Sequence, residues 1–174
     1  MTFRTATLFL AVLVTGVTTS PPAVKKIVLP AQRCQAQCAA TQAHLKRLDL
    51  LESFTFVSKG CFGTCPAYEV VFNRNGTATI SNIRFVPELK RLNGDGTATV
   101  PFEKIRALLA SSKFETLAPE YPLHATDMWG VSFGWWYSDG FKYEVDAPDK
   151  NTWPNSLGSL VTAVMQLVHD TDWH

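Results

Sequence analysis

The sequence predicts an α+β fold, an antiparallel sheet built from hairpins with two helices on one face and a further helix at the N-terminus. Three observations lead there. Short segments of period-two apolar alternation are separated by Asn-Gly and Gly-rich turns. Two stretches of helical periodicity open on prolines. No strand–helix–strand unit with a Gly-rich phosphate loop interrupts the hairpins.

The chain of 174 residues suits one domain plus a leader. Eleven phenylalanines, five tryptophans and four tyrosines are enough aromatic volume for one well-filled core. A net charge of +1, with no run of Lys or Arg beyond two, argues against a nucleic-acid partner.

Residues 1–20 read as a signal peptide. Arg4 supplies the positive end, Ala6 to Val14 the apolar core, and small and polar residues follow to Ser20. The apolar run is about half the roughly 20 residues that a membrane-spanning helix needs, so no transmembrane segment is expected once it is removed. Export to the periplasm or outside the cell is the expectation. Residues 21–52 form a proline-bearing linker and a helical extension, with Ala31 to about Leu51 free of Gly and Pro. The α+β domain is expected over residues 53–174.

Within it, Ser53 to Ser58 is the first strand, with Phe54 and Phe56 pointing one way. Tyr68 to Phe72 is the second. Asn75-Gly76 makes the turn into Thr77 to Ser81, because both residues tolerate positive φ. Arg84 to Val100 is less regular, with a turn at Asn93-Gly94-Asp95-Gly96 leading into Thr97 to Val100. Pro101 then opens a helix to about Ser111, whose Phe102, Ile105, Leu108 and Leu109 make one apolar stripe. Met128 to Tyr137 and Phe141 to Val145 are strands joined at Ser138-Asp139-Gly140, and alternation in the latter predicts one wet face. Pro154 opens the final helix, with Leu157, Leu160, Val161, Val164, Leu167 and Val168 on one side and an end near His169. Trp173 is expected to fold back onto the core, and the polar tail of His169, Asp170, Asp172 and His174 to be a frayed, solvated end. The two strand–strand–helix units suggest a loose duplication.

The chemistry centres on four cysteines in two equally spaced pairs, Cys34/Cys38 and Cys61/Cys65. In an oxidising compartment an even number indicates disulfides. Three full connectivities exist, and energetics do not select among them. A Cys61–Cys65 bridge is worth about 2 kcal/mol and a longer Cys34–Cys61 type roughly 3.5 kcal/mol in the chain-entropy model. Gly60 and Gly63 let the knuckle between the first two strands bend, and Pro66 stiffens its exit. The alternatives are a thiol–disulfide redox pair at Cys61 and Cys65, or a metal held by both cysteine pairs.

Possible binding residues are Tyr68, His124, Asp127 and Trp136. His124 and Asp127 share a loop and are a histidine–carboxylate combination of the kind used in proton transfer, but no nucleophile elbow accompanies them. On a period-two strand Trp129, Phe133, Trp135 and Tyr137 share one face, which leaves Trp136 on the other as an apolar anchor for a protein or glycan partner. No cofactor and no dedicated metal site are expected.

The run Cys61-Phe62-Gly63-Thr64-Cys65-Pro66-Ala67-Tyr68 has the form C-x-G-x-C-P-x-Y and is followed by the Asn75-Gly76 hairpin. With the Phe102–Leu109 helix, Phe114, Leu117, Tyr121, Asp127, Pro154 and Trp173 in that order, the chain resembles a family of exported bacterial proteins built around a domain of unknown function. The resemblance covers about Phe54 to Trp173 and implies the hairpin-and-helix fold without an established activity. Function is therefore expected to be a non-enzymatic binding or envelope-associated role stabilised by disulfides.

Overall fold

A computed structural model describes residues 47–92 and 94–174. The residues expected to form a leader, a linker and most of an N-terminal helical extension, including Cys34 and Cys38, lie outside the described residues; Arg47 and Leu48 are helical, and Leu51 already belongs to a strand.

The sheet is organised around β1 (Leu51–Gly60), which pairs on one side with β2 (Ala67–Asn73) and on the other with β5 (Gly130–Tyr137). With β3 (Thr77–Arg84), β4 (Gly96–Thr99) and β6 (Lys142–Ala147), the order is β4-β3-β2-β1-β5-β6, antiparallel throughout. The helices are α1 (Phe102–Ser112) and α2 (Asn155–His169). The suggested duplication is unequal, since four strands precede α1 and two precede α2, and β5 joins the same sheet beside β1.

Alternation decides which side chains meet the helices. Phe54, Phe56, Tyr68, Val70, Phe72, Phe133, Trp135 and Val145 are all buried against Ile105 and Leu109 of α1 and Leu157, Leu160, Val161, Val164 and Val168 of α2. Phe54 is central to them: its ring lies 6.2 Å from Phe72, 6.0 Å from Phe133 and 5.5 Å from Trp135. Phe114 stacks on Trp135 at 4.8 Å, which ties the segment after α1 to the sheet. Pro101 and Pro154 stand immediately before their helices, as the sequence predicts, and α1 stops at Lys113 in a left-handed conformation (φ 50°).

Three departures have local causes. β5 begins at Gly130 rather than Met128, because Gly130 packs against the backbone of Pro148, and a Cβ there would approach it to 2.6 Å. Trp129 therefore leaves the strand; it is half-buried, donates from Nε1 to Ser58 Oγ at 2.9 Å and packs 5.3 Å from Trp153. β3 runs on to Arg84, where Phe85 at φ 57° turns the chain into a 3-10 segment, Pro87–Leu92.

The C-terminus is not frayed. Trp173 is buried and donates from its indole to the Val168 carbonyl at 2.8 Å. His174 exchanges two backbone hydrogen bonds with Thr97 of β4, at 3.0 and 2.9 Å. At the opposite edge, the Asp146 amide donates to the Pro119 carbonyl and the Tyr121 amide donates to the Asp146 carbonyl, both at 2.8 Å. Both edge strands are thus partly covered, which suppresses pairing with another sheet.

Candidate functional site

Among the described residues both helices lie on one face of the sheet, and the other face is open. Its side chains form rows set by the strand register. One row runs Ser81, Glu69, Val57, Ser132, Asp146, with Glu120 bridged in parallel beside Asp146. The next runs Thr97, Thr79, Val71, Thr55, Gly134, Glu144. Trp136 sits in a third row between Ser53 and Lys142.

Trp136 is the residue that gives this face its shape. A Cβ built on Gly134 would lie 2.2 and 2.3 Å from the indole atoms Cη2 and Cζ3 of Trp136. The six-membered ring thus lies on the glycine, two positions back along the strand and on the same face. Thr55, directly across from Gly134 and placed on the open face by strand alternation, is almost fully buried. Half-buried Trp136 forms one end of an open groove of about 660 Å³. Thr55, Val57, Ser132 and Gly134 floor the groove, and Glu69 stands on one side with Glu120, Glu144 and Asp146 on the other. Lys59 closes the far end and is paired with Asp146. Three inter-strand spacings separate β2 from β6, so the groove is about 14 Å across.

The other sequence-predicted residues are dispersed. Cys61 and Cys65 form a disulfide with their Cα atoms 5.4 Å apart. That bond excludes the connectivities that tie the knuckle to Cys34 and Cys38, and it leaves no thiolates at Cys61 or Cys65 for a shared metal. Gly60 makes the short loop possible: its φ is 75°, and a Cβ would meet that of Ala67 at 3.2 Å. Tyr68 is buried in the core, its ring edge-on to Phe56 at 5.8 Å, and burial pushes its hydroxyl pKa upward. With its side chain buried, Tyr68 packs the sheet.

His124 and Asp127 are both exposed, and among the described residues no hydrogen bond or ion pair joins them. The His124 backbone amide instead points to Asp149 Oδ2 at 3.4 Å. Buried Asp149 also accepts from the Asn151 amide at 2.9 Å, which organises the loop between β6 and α2. In the tail, Asp170 accepts from Gln166 at 2.9 Å and faces His169 Nδ1 at 3.1 Å; these contacts lower its pKa, Gln166 first.

Of the groove, sequence reasoning found Trp136 and missed its surroundings. The signal for them was present: glycine two residues before a tryptophan in a strand marks an aromatic ring laid over bare backbone. The carboxylates carried no such mark, since Glu69, Glu120, Glu144 and Asp146 come from three separate segments.

Fold and site together define a six-stranded antiparallel α+β domain with one helix-covered face and one open, grooved face. Residues 52–168 match DUF6438, a domain of unknown function, and the chain belongs to that family. No curated protein and no solved structure matches the chain. No helix among the described residues is long and apolar enough to cross a membrane.

Proposed function

We propose that the protein is an exported, non-enzymatic binding domain whose open sheet face takes a glycan. The observation that carries this reading is the Trp136 indole laid over Gly134 at one end of a groove bordered by carboxylates and hydroxyls. A fixed aromatic ring offers the apolar C–H face of a sugar a stacking surface at low entropic cost, because packing already holds its rotamer. Glu69, Glu144 and Glu120 accept hydrogen bonds from sugar hydroxyls, while Thr55 and Ser132 accept or donate. A width of about 14 Å accommodates a short oligosaccharide rather than a single ring.

Binding without turnover is part of the proposal: carboxylates such as Glu69, Glu120 and Glu144 are also the groups that glycoside hydrolysis uses, so oligosaccharides recovered uncleaved after the titration are the expected result, and cleavage products refute it. Export is supported by the leader-like residues 1–20 and by the Cys61–Cys65 disulfide, a bond that persists in oxidising compartments.

The test is titration of the purified protein with β-linked oligosaccharides of four to six units, neutral and amino-sugar, followed by tryptophan fluorescence and calorimetry. Saturable binding is expected, and Trp136→Ala should weaken it at least tenfold without unfolding the domain. Binding that survives Trp136→Ala, or a complete series that yields none, refutes the assignment.

A further inference from the structure

The groove on the open face carries an unusual charge for a chain whose net charge is +1. Glu69, Glu120, Glu144 and Asp146 line it, and Lys59 is the single cation among the described lining residues, which leaves a net charge of −3. Lys59 is paired with Asp146. Glu69, Glu120 and Glu144 have neither an ion pair nor a side-chain hydrogen bond among the described residues. Between the two acidic sides, Thr55 in the groove floor is 9% exposed, and its hydroxyl has no hydrogen-bond partner among the described residues. A polar side chain buried to that degree is ordinarily hydrogen-bonded, so this hydroxyl is held for a group that a ligand brings.

The carboxylates do not converge on one point. Glu69 on β2 and Glu144 on β6 are three strand spacings apart, and among the described residues no three acidic, histidine or cysteine side chains are placed to hold a metal ion. Their charge is met instead by a ligand that carries positive charges one at a time along its length. A neutral oligosaccharide laid over them takes unpaired carboxylates out of water, and its hydroxyls offset part of that cost. An ammonium on the sugar offsets more, because a hydrogen bond between charged partners is about twice as strong as a neutral one. A basic peptide brings the same charges, but extended peptides join a sheet through their main chain at an edge. On this face the backbones of β1 and β5 are already paired on both sides.

We infer that the ligand of this groove is a cationic amino-sugar oligomer, its free amines donating to Glu69, Glu120 and Glu144 and one of its hydroxyls meeting Thr55. The inference rests on the glycan reading proposed above and names the class of glycan.

The β-1,4-linked hexamers of glucosamine and of N-acetylglucosamine have the same length and linkage and differ in charge, so calorimetric titration with each reads the inference directly. At low ionic strength the glucosamine hexamer is expected to bind at least tenfold more tightly, an advantage that about 0.5 M sodium chloride reduces to threefold or less. Glu69→Gln with Glu144→Gln should bring the two hexamers within about twofold of each other, and Trp136→Ala should weaken both. Equal affinity of the wild type for the two hexamers overturns this inference and leaves the glycan reading standing, as does a preference that the double variant keeps. Failure of both hexamers to bind also overturns it; only failure of the whole oligosaccharide series refutes glycan binding. Hexalysine bound as tightly as the glucosamine hexamer, and independently of Trp136, identifies a basic peptide as the occupant and overturns the inference as well.

Discussion

A methyl group placed on Gly134 probes the open face without touching the helical core. In the native structure the added Cβ would lie 2.2 Å from Trp136 Cη2, whereas ordinary contact begins near 3.4 Å, so the indole must lift by about 1.2 Å or swing away. If the glycine and its flanks cover about 100 Å² of the ring, losing that contact costs about 2 kcal/mol at 25 cal/mol per Å². Alanine in a strand interior is itself better than glycine by roughly 0.5–1 kcal/mol. Gly134→Ala should therefore destabilise the Trp136 protein by about 1–1.5 kcal/mol. In a Trp136→Ala background, with no ring to displace, the same change should stabilise by about 0.5–1 kcal/mol. Urea unfolding of the four proteins, followed by far-UV circular dichroism, measures both legs of this cycle. A coupling below about 0.5 kcal/mol, or a Gly134→Ala cost independent of Trp136, refutes the stacking and with it the preformed groove.

Two further outcomes follow from the core and the loop. Cys61→Ser with Cys65→Ser should lower stability by about 2 kcal/mol, the chain-entropy value for so short a ring, with little change in the far-UV spectrum; an unchanged urea midpoint would show that the disulfide contributes nothing. Among the described residues the buried Tyr137 hydroxyl has no hydrogen-bond partner, and its pKa is pushed up to about 12 by burial, with Arg47 opposing and Asp139 and Tyr143 adding. Its unfolded value is about 10, so the unfolded state loses the proton first and stability falls as pH rises from about 10 to 12, by up to about 2–3 kcal/mol. Tyr137→Phe should flatten that decline in urea midpoints taken across the interval, and an identical slope would refute the linkage.

Export and glycan binding stand on different supports. The first proposal rests on the leader-like sequence of residues 1–20 and the oxidised cysteine pair, the second on Trp136 and the groove. The fluorescence titration and a determination of where the protein resides in the cell separate them.

Strand alternation, the Asn75-Gly76 turn and the two helix-opening prolines are local properties, and local stereochemistry made the hairpins and helices legible in the sequence. The same holds for the burial of Trp173 and the placing of Trp136 opposite Trp135. Long-range pairing was not legible. That β5 docks on β1, that Glu69 and Asp146 fall in one row, and that His174 closes the β4 edge depend on contacts between segments far apart in the chain. The cysteine loop shows the division most clearly: its spacing announced a cross-link, but only the folded approach of β1 and β2 joined Cys61 to Cys65 and left Phe62 facing outward. Periodicity reports which side of an element is apolar; which element covers that side, and which side stays bare, is decided by packing the whole sheet at once.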